Sequence, residues 1–168
     1  MKKIILLLIL SLIIVGLGIS EVTAISDAET QANDILNKNN TDSKILVVYF
    51  SRTGENYNVG NVEVGNTAMV ASYIKEYLKA DSFEIIPTNK YSDKYQECLD
   101  QATKEKDENA RPEIQNKISN FDQYDTIFVG YPIWWGDLPM IMHTFFESYD
   151  FNGKKVIPFN THEGSGDA

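Results

Sequence analysis

Residues 126–139 read TIFVGYPIWWGDLP. Ile127, Phe128 and Val129 are apolar in succession, as in a parallel strand covered on both faces. The run then breaks at Gly130 and Pro132 into a loop carrying two adjacent tryptophans, a second glycine and an aspartate. Loops lie on the surface, where an indole gains little unless something flat sits on it. One of Trp134 and Trp135 can cap the core. Two core indoles in a loop flanked by Pro132 and Gly136 would be unusual, and a planar ring system stacked on one of them accounts for the arrangement.

The same grammar repeats on either side. KILVVYF (44–50) is apolar after its lysine and rich in β-branched residues, so it predicts a first buried strand. In NTAMVASYIKEYLKA (66–80), Val70, Ile74, Tyr77 and Leu78 fall on one helical stripe, with Asn66 and Thr67 as N-cap types. DSFEIIP (81–87) predicts a short second strand ended by Pro87, and residues 91 to about 106 a polar helix. YDTIFVGY (124–131) is the third strand. Pro139 suits the first turn of the helix PMIMHTFFESY (139–149), and KKVIPFN (154–160) is a fourth strand. This alternation predicts an α/β sandwich with a parallel sheet, whose ligands sit beyond the carboxyl ends of the strands. Those ends are SRTG (51–54), PIWWGD (132–137) and THEGSG (161–166), all rich in glycine, hydroxyls or aromatics.

The chain has 168 residues, enough for one domain with a sizeable core. Its net charge of −9 argues against nucleic acid, whose phosphates it would repel, and is compatible with docking to a basic protein. Cys98 is the one cysteine, so no internal disulfide or cysteine pair can form, and its setting predicts a small side chain packed on a helix. Residues 1–24 combine Lys2 and Lys3, an apolar run from Ile4 to Leu10 with further apolar sequence through Ile19, and the small-residue pattern Val22-Thr23-Ala24. That run, about 16 residues against the roughly 20 of a membrane span, predicts a secretory signal or an N-terminal anchor, either of which puts the folded part outside the cytoplasm. Residues 25–43 read as a polar spacer before a domain at 44–168.

The loop after the first strand offers the hydroxyls of Ser51 and Thr53, a flexible Gly54 and, beyond it, a helix N-terminus, which together suit a phosphate. It lacks the Gly-Lys-Ser/Thr ending of a nucleoside triphosphate loop and the G-x-G-x-x-G of a dinucleotide site. His162, Glu163 and Ser165 stand among glycines in the last loop, and His143 lies in an apolar helix as a structural residue. Neither histidine completes a Ser–His–acid order or a metal-ligand spacing.

In this order, VVYFSRTG, GYPIWWGDLP and PFNTHEGSG resemble the flavodoxin family over about residues 44–168, and its branch with a longer insertion after the first strand most of all. The resemblance implies a three-layer sandwich with a parallel sheet of order 2-1-3-4, lacking the family's fifth strand and last helices, and non-covalent FMN at the top of the sheet. A fragment or truncated product is the expectation from that missing part, with apolar positions of strands three and four left bare, or covered by another chain in an oligomer. Carried onto this chain, Ser51, Arg52, Thr53 and Gly54, with Asn66 and Thr67, hold the phosphate, and Arg52 is its one source of positive charge. Residues 55–65 read as an insertion within that loop. Pro132, Ile133, Trp134, Trp135, Gly136 and Asp137 line one face of the isoalloxazine, with Trp135 stacked on it. Thr161, His162, Glu163 and Gly164 lie near its pyrimidine end. In the family the peptide after the tryptophan can turn a carbonyl toward flavin N5, and Gly136 is the matching position. A packed indole and a net negative protein both disfavour the anionic reduced flavin. The resemblance thus implies an electron carrier with no catalytic side chain, a redox partner protein of basic character, and membrane association only through the N-terminal segment. An NAD(P)H-dependent flavin or quinone reductase and a domain without flavin are the alternatives.

Overall fold

The computed structural model describes residues 44–164 and Gly166. The signal or anchor expected at 1–24 and the spacer at 25–43 lie outside the described residues.

Among the described residues, chain order gives β1 (Ile45–Tyr49), β2 (Gly54–Asn56), β3 (Gly60–Val62), α1 (Asn66–Leu78), β4 (Asp81–Glu84), α2 (Tyr95–Asp107), β5 (Thr126–Pro132), α3 (Met140–Ser148) and β6 (Lys155–Thr161), with a 3₁₀ turn at Phe121–Gln123. Four strands form a parallel sheet of order β4-β1-β5-β6, the expected 2-1-3-4, and β2 and β3 form a separate antiparallel hairpin. The hairpin is the part that the sequence reading left as an unassigned insertion.

Register explains the core. Leu46 pairs with Ile127 and Val48 with Val129, and strand side chains alternate between faces, so these four share one face. There they join Phe50, Tyr131, Cys98 of α2 and Ile141, Met142 and Phe145 of α3 in a single cluster. Val47 and Phe128, also paired, point to the opposite face, which α1 covers. Phe145, Ile141 and Met142 are fully buried, and each such side chain contributes about 1.5–3 kcal/mol through loss of water contact.

Three details depart from the sequence reading. The apolar stripe of α1 buries Thr67 and Ala71, with Val70, Ile74 and Leu78 half-buried, while Tyr77 is exposed, because the helix leans on the sheet by its small residues. Helix α3 starts at Met140, with Pro139 as its N-cap rather than within its first turn. Strand β5 is not bare: residues 126–131 are all buried, since α1 reaches across it and the Phe159 ring lies against Gly130. Exposure falls on β6 instead, the sheet edge, at Lys155, Val156 and Pro158.

After β1 the chain crosses to β4 on one side, and it later returns to place β5 on the other. The loops leaving β1 and β5 therefore diverge, opening a crevice between them where parallel α/β sheets bind ligands.

Candidate functional site

The crevice is a cavity of about 360 Å³. One end is the junction of β1 and α1. Gly65, the N-cap of α1, has no side chain to bond the first turn, and Ser51 supplies the bond instead: its Oγ accepts from the Ala68 N–H at 3.0 Å. The approach is close enough that a Cβ on Gly65 would stand 2.1 Å from Ser51 Oγ and 2.6 Å from the Arg52 carbonyl. The N–H groups of Asn66 and Thr67 precede any intrahelical partner and carry the positive end of the helix dipole, so this end suits an anion. Thr67 is buried, and its hydroxyl meets that of Thr161 at 2.7 Å, joining α1 to the end of β6.

The second wall is the loop after β5. Trp134 N–H donates to the Asp137 carbonyl at 2.8 Å and Asp137 N–H to the Trp134 carbonyl at 3.1 Å, closing a two-residue turn. Its central residues, Trp135 and Gly136, have φ of +57° and +71°, the signature of a type I′ turn. Glycine adopts that conformation freely. For tryptophan it costs roughly 1–2 kcal/mol. The Lys106 ammonium, in the last turn of α2, donates to the Trp135 carbonyl at 3.0 Å.

The two indoles divide the work. Trp134 is half-buried and meets Phe50 and Tyr91 edge-on, with ring centroids 5.5 and 5.0 Å away. Trp135 is 53% exposed on the rim of the cavity. Ile133 N–H donates to the Thr161 carbonyl at 2.9 Å, which ties this loop to the third one.

The cavity brings together Ser51, Arg52, Asn66, Thr67, Pro132, Ile133, Trp134, Trp135, Thr161, His162 and Glu163 of the expected set. Five others stand outside its lining: Thr53, Gly54, Gly136, Asp137 and Gly164. Thr53 is exposed. Gly54 turns the chain away at φ +85° into β2, packed so tightly that a Cβ there would meet the Asp93 carbonyl at 2.5 Å. Asp137 spends its carboxylate on the Leu138 N–H at 2.8 Å.

Arg52 lines the cavity and also has structural partners. Its guanidinium donates to the Ser92 carbonyl at 3.0 and 2.7 Å and to the Glu55 carbonyl, so it braces the loop before α2. The positive character of the anion end rests mainly on backbone N–H groups.

The remaining wall was not legible as part of the site. The hairpin contributes Asn56, Tyr57 and Val59, and α2 contributes Tyr95, Cys98, Leu99 and Ala102. The last four do fall at i, i+3, i+4 and i+7, an apolar stripe on a polar helix. Nothing local shows that this stripe turns toward the other loops. Glu55 holds the two parts together, because its carboxylate accepts the Tyr95 N–H at 3.0 Å and caps α2. The Tyr57 and Tyr95 rings meet at a tilt of 35°, with 5.9 Å between centroids.

The site thus has a hydroxyl-lined helix N-terminus at one end, a rim indole, and a third strand-end loop at the other, and residues 44–168 match the sequence profile of the flavodoxins. The chain belongs to the flavodoxin family. Solved structures agree. A provisionally assigned flavoprotein from Bacteroides eggerthii is 35% identical, with a TM-score of 0.61 over 73% of this chain and 72% of its own. A second, from Bacteroides uniformis, is 36% identical, with a TM-score of 0.61 over 73% and 74%. A flavoprotein from Lactobacillus acidophilus, solved in complex with FMN, is 24% identical with a TM-score of 0.59 over 73% and 76%, and shares the fold. Among curated proteins none matches.

Proposed function

We propose that this flavodoxin-family chain binds FMN non-covalently and carries electrons on it. The observation that supports this best is the pairing, in one cavity, of the α1 N-terminus with the exposed Trp135. The first fits a phosphate and the second a planar ring. Ser51, Asn66 and Thr67 would hold the phosphate, Trp135 would pack on the isoalloxazine, and Thr161, His162 and Glu163 would face its polar edge. FMN supplies the redox chemistry. The protein's part is to bind it, orient it and limit water at the ring. The net charge of −9 would suit a basic redox partner protein, and the 1–24 sequence would suit a location outside the cytoplasm.

Titrating the full chain with FMN while following flavin fluorescence tests the reading. Saturable quenching, with riboflavin at least about tenfold weaker because it lacks the phosphate, is the expected result. Absence of quenching by FMN would overturn it.

One observation favours a second reading. The apolar wall of Tyr57, Val59, Tyr95 and Leu99 would suit a second ring, as in an NAD(P)H-dependent flavin or quinone reductase. Steady NAD(P)H oxidation with a quinone would separate the two.

A further inference from the structure

The turn at Trp134–Asp137 is held at its two ends by the cross-turn hydrogen bonds, which involve only the flanking residues. Neither bond fixes the central peptide, whose carbonyl is that of Trp135. Packing does not fix it either. A Cβ on Gly136 would meet nothing within 4 Å, and the Trp135 side chain is 53% exposed. Left to its own preferences, Trp135 would leave the left-handed region for a negative φ, swinging the indole with it. Rotating the central peptide at unchanged φ would instead put tryptophan where essentially only glycine goes. The Trp135 carbonyl itself accepts from the Lys106 ammonium at 3.0 Å. Lys106 lies outside the cavity lining and reaches the turn from the last turn of α2, the helix whose Tyr95, Cys98, Leu99 and Ala102 form the opposing wall. The same helix thus lines the cavity and bonds the turn that carries the indole.

We propose that Lys106 is a positioning residue: by anchoring the Trp135 carbonyl it keeps Trp135 in its strained backbone state and sets the spacing at which the indole meets the flavin, and hence the potential of the flavin. This rests on the flavin reading given above.

The test compares the full chain with Lys106→Met and Lys106→Arg, measuring FMN dissociation constant, midpoint potential and the visible circular dichroism of the bound flavin, with thermal unfolding as a check on folding. Lys106→Met is expected to weaken FMN about five- to tenfold, to alter the visible dichroism and to move the potential, whereas Lys106→Arg, which keeps a cationic donor, stays within about twofold. In a Trp135→Gly background the methionine substitution should add less than about twofold, because glycine needs no anchor. Should the methionine variant fail to fold, Lys106→Ser, which removes the reach of the side chain, serves for the same comparison. If the wild type binds FMN and the variant matches it in affinity, dichroism and potential, or if the loss is undiminished in Trp135→Gly, the role of Lys106 is overturned and the flavin reading stands. If the wild type binds no FMN, both fall.

Discussion

Gly65 shows how much a single missing side chain can decide. The carbonyl that a Cβ would meet at 2.6 Å belongs to the Arg52 backbone and cannot rotate away, so the junction of β1 and α1 closes only around glycine. Gly65→Ala is expected to destabilise the protein by roughly 2 kcal/mol and to weaken FMN at least tenfold, read by thermal unfolding and flavin titration. The two tryptophans should separate in the same assays. Trp134→Ala removes the ring that packs on Phe50 and Tyr91 and should cost on the order of 3 kcal/mol of stability. Trp135→Ala should leave stability nearly unchanged and act on flavin binding, since its indole is exposed. Cys98 offers a third reading of the site. Burial pushes its thiol up, partly offset by the nearby Arg52 charge, and the side chain is buried in the wall. A thiol reagent at pH 8 should therefore modify the native chain at least about a hundredfold more slowly than the unfolded one. Saturating FMN should slow it further.

Among the elements, the hairpin β2–β3 and helix α2 act as one unit. Lys94, the N-cap of α2, makes no side-chain cap bond, and Glu55 of the hairpin takes over that task. Gly54 and Asp93 press the two together, and the Glu55 N–H donates to the Asp93 carbonyl at 2.7 Å. Removing this cap by Glu55→Ala should cost about 1 kcal/mol and raise amide exchange at Tyr95, measured by hydrogen exchange. Helix α3 is braced differently, by Glu147 to Arg111 at 2.8 Å. The hydrogen bond from Arg111 holds the Glu147 carboxyl below the usual range. A carboxyl depressed in the folded state contributes stability above its unfolded pKa and loses it as pH falls through the folded one. Arg111→Met should therefore lower the melting temperature slightly at pH 7, by less in high salt, and by less again once the pH lies below the folded pKa, where only its bonds to Asn109 and Ala110 are lost.

At the scale of the whole molecule, charge matters most. A net charge of −9 steers the chain toward cationic partners over about a Debye length of roughly 8 Å at physiological salt. Electron transfer from the FMN-loaded, reduced chain to a basic acceptor protein should slow several-fold as ionic strength rises to about 0.15 M, while transfer to an uncharged small acceptor stays constant. Equal salt responses would count against a basic partner.

What the sequence determined alone is whatever depends on local periodicity. Buried runs such as ILVVY and TIFVGYP, the helical stripes between them and the glycine-rich ends of the strands were legible because strand and helix burial repeat every two and every 3.6 residues. Those patterns carried the sheet class and three of the loops that meet at the cavity, and motif order carried the family. Contacts between segments far apart in sequence were decided by tertiary structure. That the Arg52 guanidinium also braces Ser92, forty residues on, has no local signal. The hairpin read only as an insertion in the phosphate loop and α2 showed no sign of belonging to the site, because the bond from Glu55 to Tyr95 spans forty residues. Trp135 and Lys106, twenty-nine residues apart, meet only because α2 and the loop after β5 lie side by side. Local preference even argued against the outcome there, since a tryptophan at positive φ persists when distant groups hold it.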